Sequence, residues 1–287
     1  MKLRFVAAAL ILSISPGIVA QQMSSQPGQG RSMVVTKFGI VAAPQFLASQ
    51  AGAHILEEGG NAIDAAIAAN AVMGVVQPYV NGMGGDLFAV YYEAKTGKLY
   101  GLNSSGWTPK ALTIDYMKAH HIDHINPIGV ETIDIPGAVA GWDAMRTRFG
   151  TLPFTQTLAP AIYYAENGFP LAERNARYWV AKSLLQQPGY SETYLPNGVA
   201  PKVGDEFKNP ALAHSLREVA AHGRDAFYNG SLTEIMVKFL QAQGVRTSST
   251  TSKTFSRSGS SLSLRPIAAG QSTSYRRMGR ASPHSLC

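Results

Sequence analysis

The stretch from Leu56 to Tyr92 constrains this chain more than any other. Gly59-Gly60 predicts the end of one helix, because glycine accepts left-handed backbone without a Cβ penalty. Asn61 suits the N-cap of the next helix, with Asp64 three residues on as its capping-box partner. Ala62 to Val76 is apolar on nearly every face, which predicts a helix buried all round, and Pro78 stops it. Asn81-Gly82-Met83-Gly84-Gly85 can bend tightly, and Leu87 to Tyr92 is rich in strand formers. The order is helix, glycine loop, strand. A dinucleotide fingerprint needs strand, glycine loop, helix, so that reading is disfavoured. A plain turn and a loop that lines a site both remain open.

With 287 residues and 45% hydrophobic content the chain can build a sizeable core in one or two domains. The net charge of +7 invites a nucleic-acid reading, but its distribution argues against one. Seven basic residues and no acidic ones lie beyond Gly244, and the remaining 18 Lys and Arg equal the 18 Asp and Glu. No basic stripe with interleaved aromatics marks a nucleic-acid surface, so no nucleic-acid partner is expected. Residues 1–20 read as a signal peptide: Lys2 and Arg4, then an apolar run from Phe5 to Ile14 that is too short to span a bilayer, then a break at Ser15-Pro16-Gly17. The expected location is therefore the periplasm or the medium, with a retained N-terminal anchor as the alternative. The single cysteine, Cys287, leaves the body without a disulfide, a zinc cysteine or a thiol nucleophile.

Residues 21–32 read as a disordered polar linker. A strand-like run surrounds Gly39-Ile40-Val41-Ala42, and Phe46 to Glu58 has amphipathic helical spacing. Leu87–Tyr92 and Leu99–Asn103 flank a Lys95-Thr96-Gly97-Lys98 turn and predict a β-hairpin. A short helix is expected before Ala119, a strand over Val130–Ile135, and a helix from Pro136-Gly137 to Arg148. Helical spacing also covers Phe154–Asn167, Leu171–Leu185, Ala211–His222 and Leu232–Gln243, with Gly168, Gly223 and Gly244 as stops.

The motifs Gly-Gly-Asn-Ala-Ile-Asp-Ala-Ala-Ile-Ala-Ala-Asn, Gly-Val-Val-Gln-Pro and Gly-Met-Gly-Gly-Asp resemble the N-terminal region of γ-glutamyltransferases (glutathione hydrolases). The resemblance continues at Ile135–Trp142, Phe149–Pro153, Ala165–Phe169, Asn209–Ala213 and Asp225–Gly230, in order, over roughly residues 34–244. It implies an α/β (α+β) class and the four-layer αββα N-terminal-nucleophile hydrolase fold, incomplete in this chain. It also implies the large-subunit portion of a precursor. In that family a Thr at the head of the small subunit attacks a γ-glutamyl carbonyl, with its own α-amine as base, and water or an acceptor amine (an amino acid or peptide) resolves the acyl-enzyme. The expected partners are thus a small-molecule γ-glutamyl substrate, such as glutathione, its acceptor, and the small subunit. No cofactor is expected. No catalytic residue can be named in this chain, which is expected to be inactive alone.

One departure from the family pattern stands out. The family carries Arg-Glu-x-Ala-Pro after the hairpin, where the Arg holds the substrate carboxylate in a two-pronged grip. Aligned on Pro109, this sequence has Ser105 and Gly106 there. Ser104, Ser105 and Trp107 are the candidate substrate-binding residues, with an ordinary turn as the alternative. The missing Arg leaves room for a related acylase acting on another amide. No G-x-S-x-G elbow occurs. His121 and His124 would share a face on a helix, beside His120 and Asp123, yet such a cluster is more often solvated surface, and no metal site is assigned. Glu131 and Asp134 read as solvated charges flanking a strand.

Residues 245–287 are Ser/Arg-rich and lose the resemblance abruptly, which suggests a reading-frame slip near Gly244, or else a disordered extension. Residues 33–244 form the large-subunit region, a truncated one on this reading. A rival from another class is an exported non-catalytic remnant or binding protein that reuses the half-fold. Cooperative unfolding of the isolated chain would favour that rival.

Overall fold

A computed structural model describes residues 33–109 and 112–244 and the backbone of 263–267. The expected leader and linker both lie outside these residues. The chain divides into Met1–Lys37 and Phe38–Cys287. The described part of the first unit, Met33–Lys37, has no regular secondary structure, and all elements below belong to the second.

Helix α1 (Phe46–Glu57) starts at Gln45, whose side-chain oxygen accepts from the N–H groups of Leu47 (2.6 Å) and Ala48 (3.3 Å). Gly59 ends it at φ +92°. Helix α2 (Ala62–Val76) buries 12 of its 15 residues, as its uniformly apolar sequence predicts. The capping box is formed: the Asn61 carbonyl oxygen accepts from the N–H groups of Ile63 and Asp64, and the Asn61 N–H donates to Asp64. Helices α1 and α2 pack closely because Gly52 has no side chain. A Cβ there would come within 3.0 Å of the Ala65 carbonyl oxygen and 2.7 Å of Val41. The expected strand around Gly39–Ala42 is absent, and Val41 instead packs on the core.

Strands β1 (Leu87–Glu93) and β2 (Lys98–Ser104) form the predicted antiparallel hairpin, with Val90 opposite Gly101 and Leu87 opposite Ser104. Strand β5 (Ser263–Ile267) adds to the other side of β2, giving the order β1-β2-β5. This strand falls within the stretch expected to be off-frame or disordered. Main-chain pairing makes few demands on side-chain identity. The rest of 245–287 lies outside the described residues.

Helix α3 (Ile114–Ala119) is followed by His120, so His121 and His124 do not share a helical face, contrary to the spacing argument. The His120 ring bonds the Tyr116 carbonyl (2.8 Å) and stacks on the Tyr116 ring, and His121 turns the backbone at φ +55°. The expected strand over Val130–Ile135 is also replaced. Val130–Thr132 is one 3₁₀ turn, in which the Thr132 N–H and hydroxyl both donate to Gly129, and only Ile135 pairs, with Trp107.

Helix α4 (Ala138–Phe149) begins and ends where expected. The Phe154–Asn167 run forms α5 (Phe154–Thr157) and α6 (Ala159–Asn167), parted at Leu158, where Pro160 cannot donate to the preceding turn. Gly168 stops α6, and a two-residue ladder joins β3 (Phe169–Pro170) to β4 (Glu206–Phe207). The expected helix over Leu171–Leu185 shortens to α7 (Glu173–Tyr178). The Tyr190 hydroxyl beyond it donates to the Trp179 carbonyl (3.1 Å) and accepts from the Ala181 N–H (2.8 Å), taking backbone groups that a longer helix would use. Trp179 is buried against Phe169, Phe207 and Tyr194. Helix α8 (Tyr190–Tyr194) precedes α9 (Pro210–His222), α10 (Arg224–Tyr228) and α11 (Ser231–Ala242).

Candidate functional site

The glycine loop is fixed to the buried helix beneath it. The Asn81 side chain donates to the Asn70 carbonyl (2.8 Å) and accepts from the Asn70 side chain (3.3 Å), and Trp142 Nε1 donates to the Asn70 side-chain oxygen (2.9 Å). A Cβ on Gly74 would lie 3.2 Å from the Gly82 Cα, so the loop crosses α2 in close contact there. Only about 10 Å³ of space remains between Asn70, Gly74, Met83 and Trp142, room for one water at most.

The loop then meets two other segments. The Gly85 carbonyl accepts from the N–H groups of Gly137 (3.0 Å) and Ala138 (2.8 Å) at the start of α4. Asp86 reaches across to the turn after β2: Oδ1 accepts from the Gly106 N–H (2.6 Å), and Oδ2 accepts from the Ser105 hydroxyl (3.1 Å). Trp107 and Ile135 exchange backbone hydrogen bonds of 3.3 and 2.9 Å. The loop 81–86, the turn 104–107 and the segment 134–138 therefore share one place.

The three candidate binding residues have different roles there. Ser104 is fully buried, and its hydroxyl donates to the Gly137 carbonyl (2.6 Å). A Cβ on Gly137 would overlap the Ser104 carbonyl, and one on Gly141 would sit 3.0 Å from the Ser104 Cβ. Ser104 thus locks β2 to α4. Ser105 is half-buried beside Asp86, and Trp107 is 49% exposed. These two keep part of their surface open to solvent.

Asp86 and Asp134 were not picked out as site residues by sequence. Asp86 closes the Gly-Met-Gly-Gly-Asp motif without being assigned a role, and Asp134 reads there as a solvated charge. Partial desolvation, and then the negative charge of Asp86, hold the Asp134 carboxyl above its usual range, with a Thr108 hydrogen bond opposing them. Gly106 is enclosed as well: a Cβ would lie 2.5 Å from the Ile135 carbonyl oxygen and 2.9 Å from the Asp134 Cβ. The family's longer residue at that position would not fit this arrangement. Asp86 and Gly106 form one unit, and the Gly-Gly-Asp tripeptide after Met83 was the signal that could have revealed it.

Among the described residues no group of three or more His, Cys, Asp or Glu side chains is arranged to hold a metal ion. Two surface pockets of about 340 and 330 Å³ lie elsewhere, one beside His222 and Asp225, the other between α1 and α6.

The fold is that of a known family of enzymes. The chain belongs to the gamma-glutamyltranspeptidase family, whose model matches residues 48–257. It is 38% identical over 216 residues to the glutathione hydrolase-like YwrD proenzyme of Bacillus subtilis, covering 75% of this chain and 41% of that protein. It is 39% identical over 219 residues to the oxamate amidohydrolase proenzyme of Klebsiella pneumoniae, covering 74% and 41%. The crystal structure of cephalosporin acylase from Bacillus halodurans superposes with a TM-score of 0.73 at 37% identity, covering 85% of this chain and 45% of that one. The chain thus spans less than half the length of these relatives, and its mixed helix-and-strand fold is that of the family's N-terminal portion.

Proposed function

We propose that this chain is the large-subunit part of an exported enzyme that transfers or hydrolyses an acyl group held in an amide, with a γ-glutamyl group as the first substrate. The attacking Thr would come from a small subunit of the same precursor. Its hydroxyl adds to the carbonyl, its α-amine takes the proton, the amine leaves, and water or an acceptor amine releases the acyl group. In this reading the chain supplies a rigid wall, the glycine loop with Trp107 and Ser105 beside it. The observation that carries the reading is the convergence of loop 81–86, turn 104–107 and segment 134–138.

The test supplies the chain with the remainder of its precursor, after sequencing the gene from the Leu240 codon onward in all three frames. Release of a chromogenic γ-glutamyl anilide is expected from the restored protein and not from the 287-residue chain alone. Activity of the chain alone, or no frame that encodes a Thr-led subunit, would overturn it. N-terminal sequencing of exported protein tests the leader, with a start just after Ala20 expected.

A second reading, an acylase for a different amide, is favoured by the Asp86–Gly106 unit. It leaves no room for a side chain at Gly106, where the family has its Glu, and Ser105 stands where the family has its carboxylate-holding Arg. Turnover of an acyl amide without turnover of the γ-glutamyl anilide would select this second reading.

A further inference from the structure

We propose that, on the reading in which the glycine loop walls the substrate site, Trp142 is a positioning residue for that loop, acting through Asn70 and Asn81. Trp142 is buried on α4, and its indole nitrogen can only donate. It donates to Asn70 Oδ1 (2.9 Å), so the oxygen end of that amide faces α4 and the nitrogen end faces the loop. Asn70 Nδ2 then donates to Asn81 Oδ1 (3.3 Å), which turns the nitrogen of the second amide onto the main-chain carbonyl of Asn70 (2.8 Å). The first group in this series cannot accept, and the last cannot donate. The sense of both amides is therefore fixed, although an isolated amide could lie either way round.

Helix α4 thereby holds both ends of the loop. The N–H groups at its start, those of Gly137 and Ala138, hold the Gly85 carbonyl at the far end. Trp142, about one turn further on, holds Asn81 at the near end through Asn70. Between these ends Met83 packs on the core, while a Cβ on Gly82 or Gly84 would meet nothing within 4 Å. The two ends thus do most to set where the loop runs. Without the indole N–H, either amide is free to turn over. A reversed Asn81 would present its oxygen to the Asn70 carbonyl, acceptor against acceptor, and the near end would come loose. Trp142, Asn70 and Asn81 all bond within this chain, so the series stands whatever else packs on the outside of the loop.

Hydrogen exchange of the full chain tests the series. The Asn81 and Gly85 N–H groups, which donate to the Gln77 and Gly82 carbonyls, report on the loop. Trp142→Phe keeps a buried ring and removes the donor, and both amides should exchange about tenfold faster relative to the core of α2. Trp179→Phe is the control. It removes an equally buried indole donor, bonded to the Tyr194 carbonyl (2.8 Å), and should leave the loop amides as they are. Asn70→Asp keeps the acceptor for Trp142 and removes the donor to Asn81. It should loosen the loop as Trp142→Phe does, and it carries the test if that variant fails to fold. In the restored enzyme Trp142→Phe should lower kcat/KM about tenfold, chiefly through kcat, because a displaced wall misorients the acyl group. Loop amides unchanged in Trp142→Phe and Asn70→Asp, or loosened equally by Trp179→Phe, would overturn the series. A loosened loop with unchanged kcat/KM would instead overturn the wall reading, and with it any role for Trp142 in turnover.

Discussion

The carboxylate of Asp64 in α2 accepts both the N–H (3.1 Å) and the hydroxyl (2.6 Å) of Thr151, 87 residues further along the chain. The same carboxylate accepts from the N–H groups of Asn61 (2.9 Å) and Leu152 (3.3 Å), and it is fully buried. Asn61 completes the join by donating its side-chain N–H to the Phe149 carbonyl (2.6 Å). Two motifs distant in sequence, Gly-Gly-Asn-Ala-Ile-Asp and Phe-Gly-Thr-Leu-Pro, are thus one structural unit. Asp64→Ala should destabilise the chain by roughly 3 kcal/mol, since several buried donors lose a charged acceptor. Thr151→Val should cost about 1–2 kcal/mol. Urea unfolding of the two variants and the double mutant should show strong non-additivity, because they share one network.

Glycines in the site region should divide sharply. Gly137→Ala forces a Cβ into the Ser104 carbonyl and should cost on the order of 3 kcal/mol or more, or abolish folding. Gly84→Ala meets nothing within 4 Å and should change stability by less than about 0.5 kcal/mol. If the loop approaches substrate, Gly84→Ala in the restored enzyme should still lower kcat/KM. Thermal unfolding and kinetics on the same two variants separate the effects.

Tyr228 gives a test at high pH. Its hydroxyl donates to the Pro136 carbonyl (2.7 Å) and accepts from the Ala140 N–H (3.1 Å), which ties α10 to the start of α4. Burial pushes its pKa up to about 12, against backbone and Arg224 effects that lower it. Its folded pKa exceeds the unfolded value of about 10, so its contribution is intact below pH 10 and falls as pH rises toward 12. Tyr228→Phe should lose about 1–2 kcal/mol at neutral pH and should lack that alkaline decline. Unfolding midpoints between pH 8 and 12 check both.

Asp134 gives the acid counterpart. Its folded pKa lies above the unfolded value near 3.8, so the folded state holds the proton more tightly. This term favours folding below the unfolded pKa and fades as pH rises through the folded one. Asp134→Asn should remove that pH dependence. Asp86→Asn should move the Asp134 titration back toward its usual position, as followed by NMR of the side-chain carboxyl.

Much of this molecule was legible because local chemistry and packing agree. Asn61, Asp64, Pro78 and the strand formers of Leu87–Tyr92 each specify a boundary, and all four hold. Asn209 likewise caps α9 while its N–H donates to the Ala165 carbonyl, joining two more motifs. The missed elements are those decided by groups outside their own run of residues. The helix expected past Tyr178 yields to the Tyr190 hydroxyl, and the strand expected at Val130 yields to Gly129. At the site, Ser104, Ser105 and Trp107 share one turn, but only geometry shows that Ser104 faces the core. Asp86 escaped notice because its partners, Ser105 and Gly106, lie some twenty residues away, and no periodic pattern records such a bond.

The two segments that meet at Asp86 are anchored unequally. The glycine loop is clamped through its own Asn81 to Asn70, which Trp142 also holds, and both of these side chains are rooted in buried helices. The turn that meets it is tied to 135–137 at its ends, by Ser104 and Trp107, and between them Ser105 and Gly106 hang from the Asp86 carboxylate. Substitutions at 86, 105 and 106 can therefore reshape one wall while the other, and the core behind it, stays in place. Such an arrangement lets a lineage change its diet by mutation at a hinge-like outpost without first having to rebuild the scaffold.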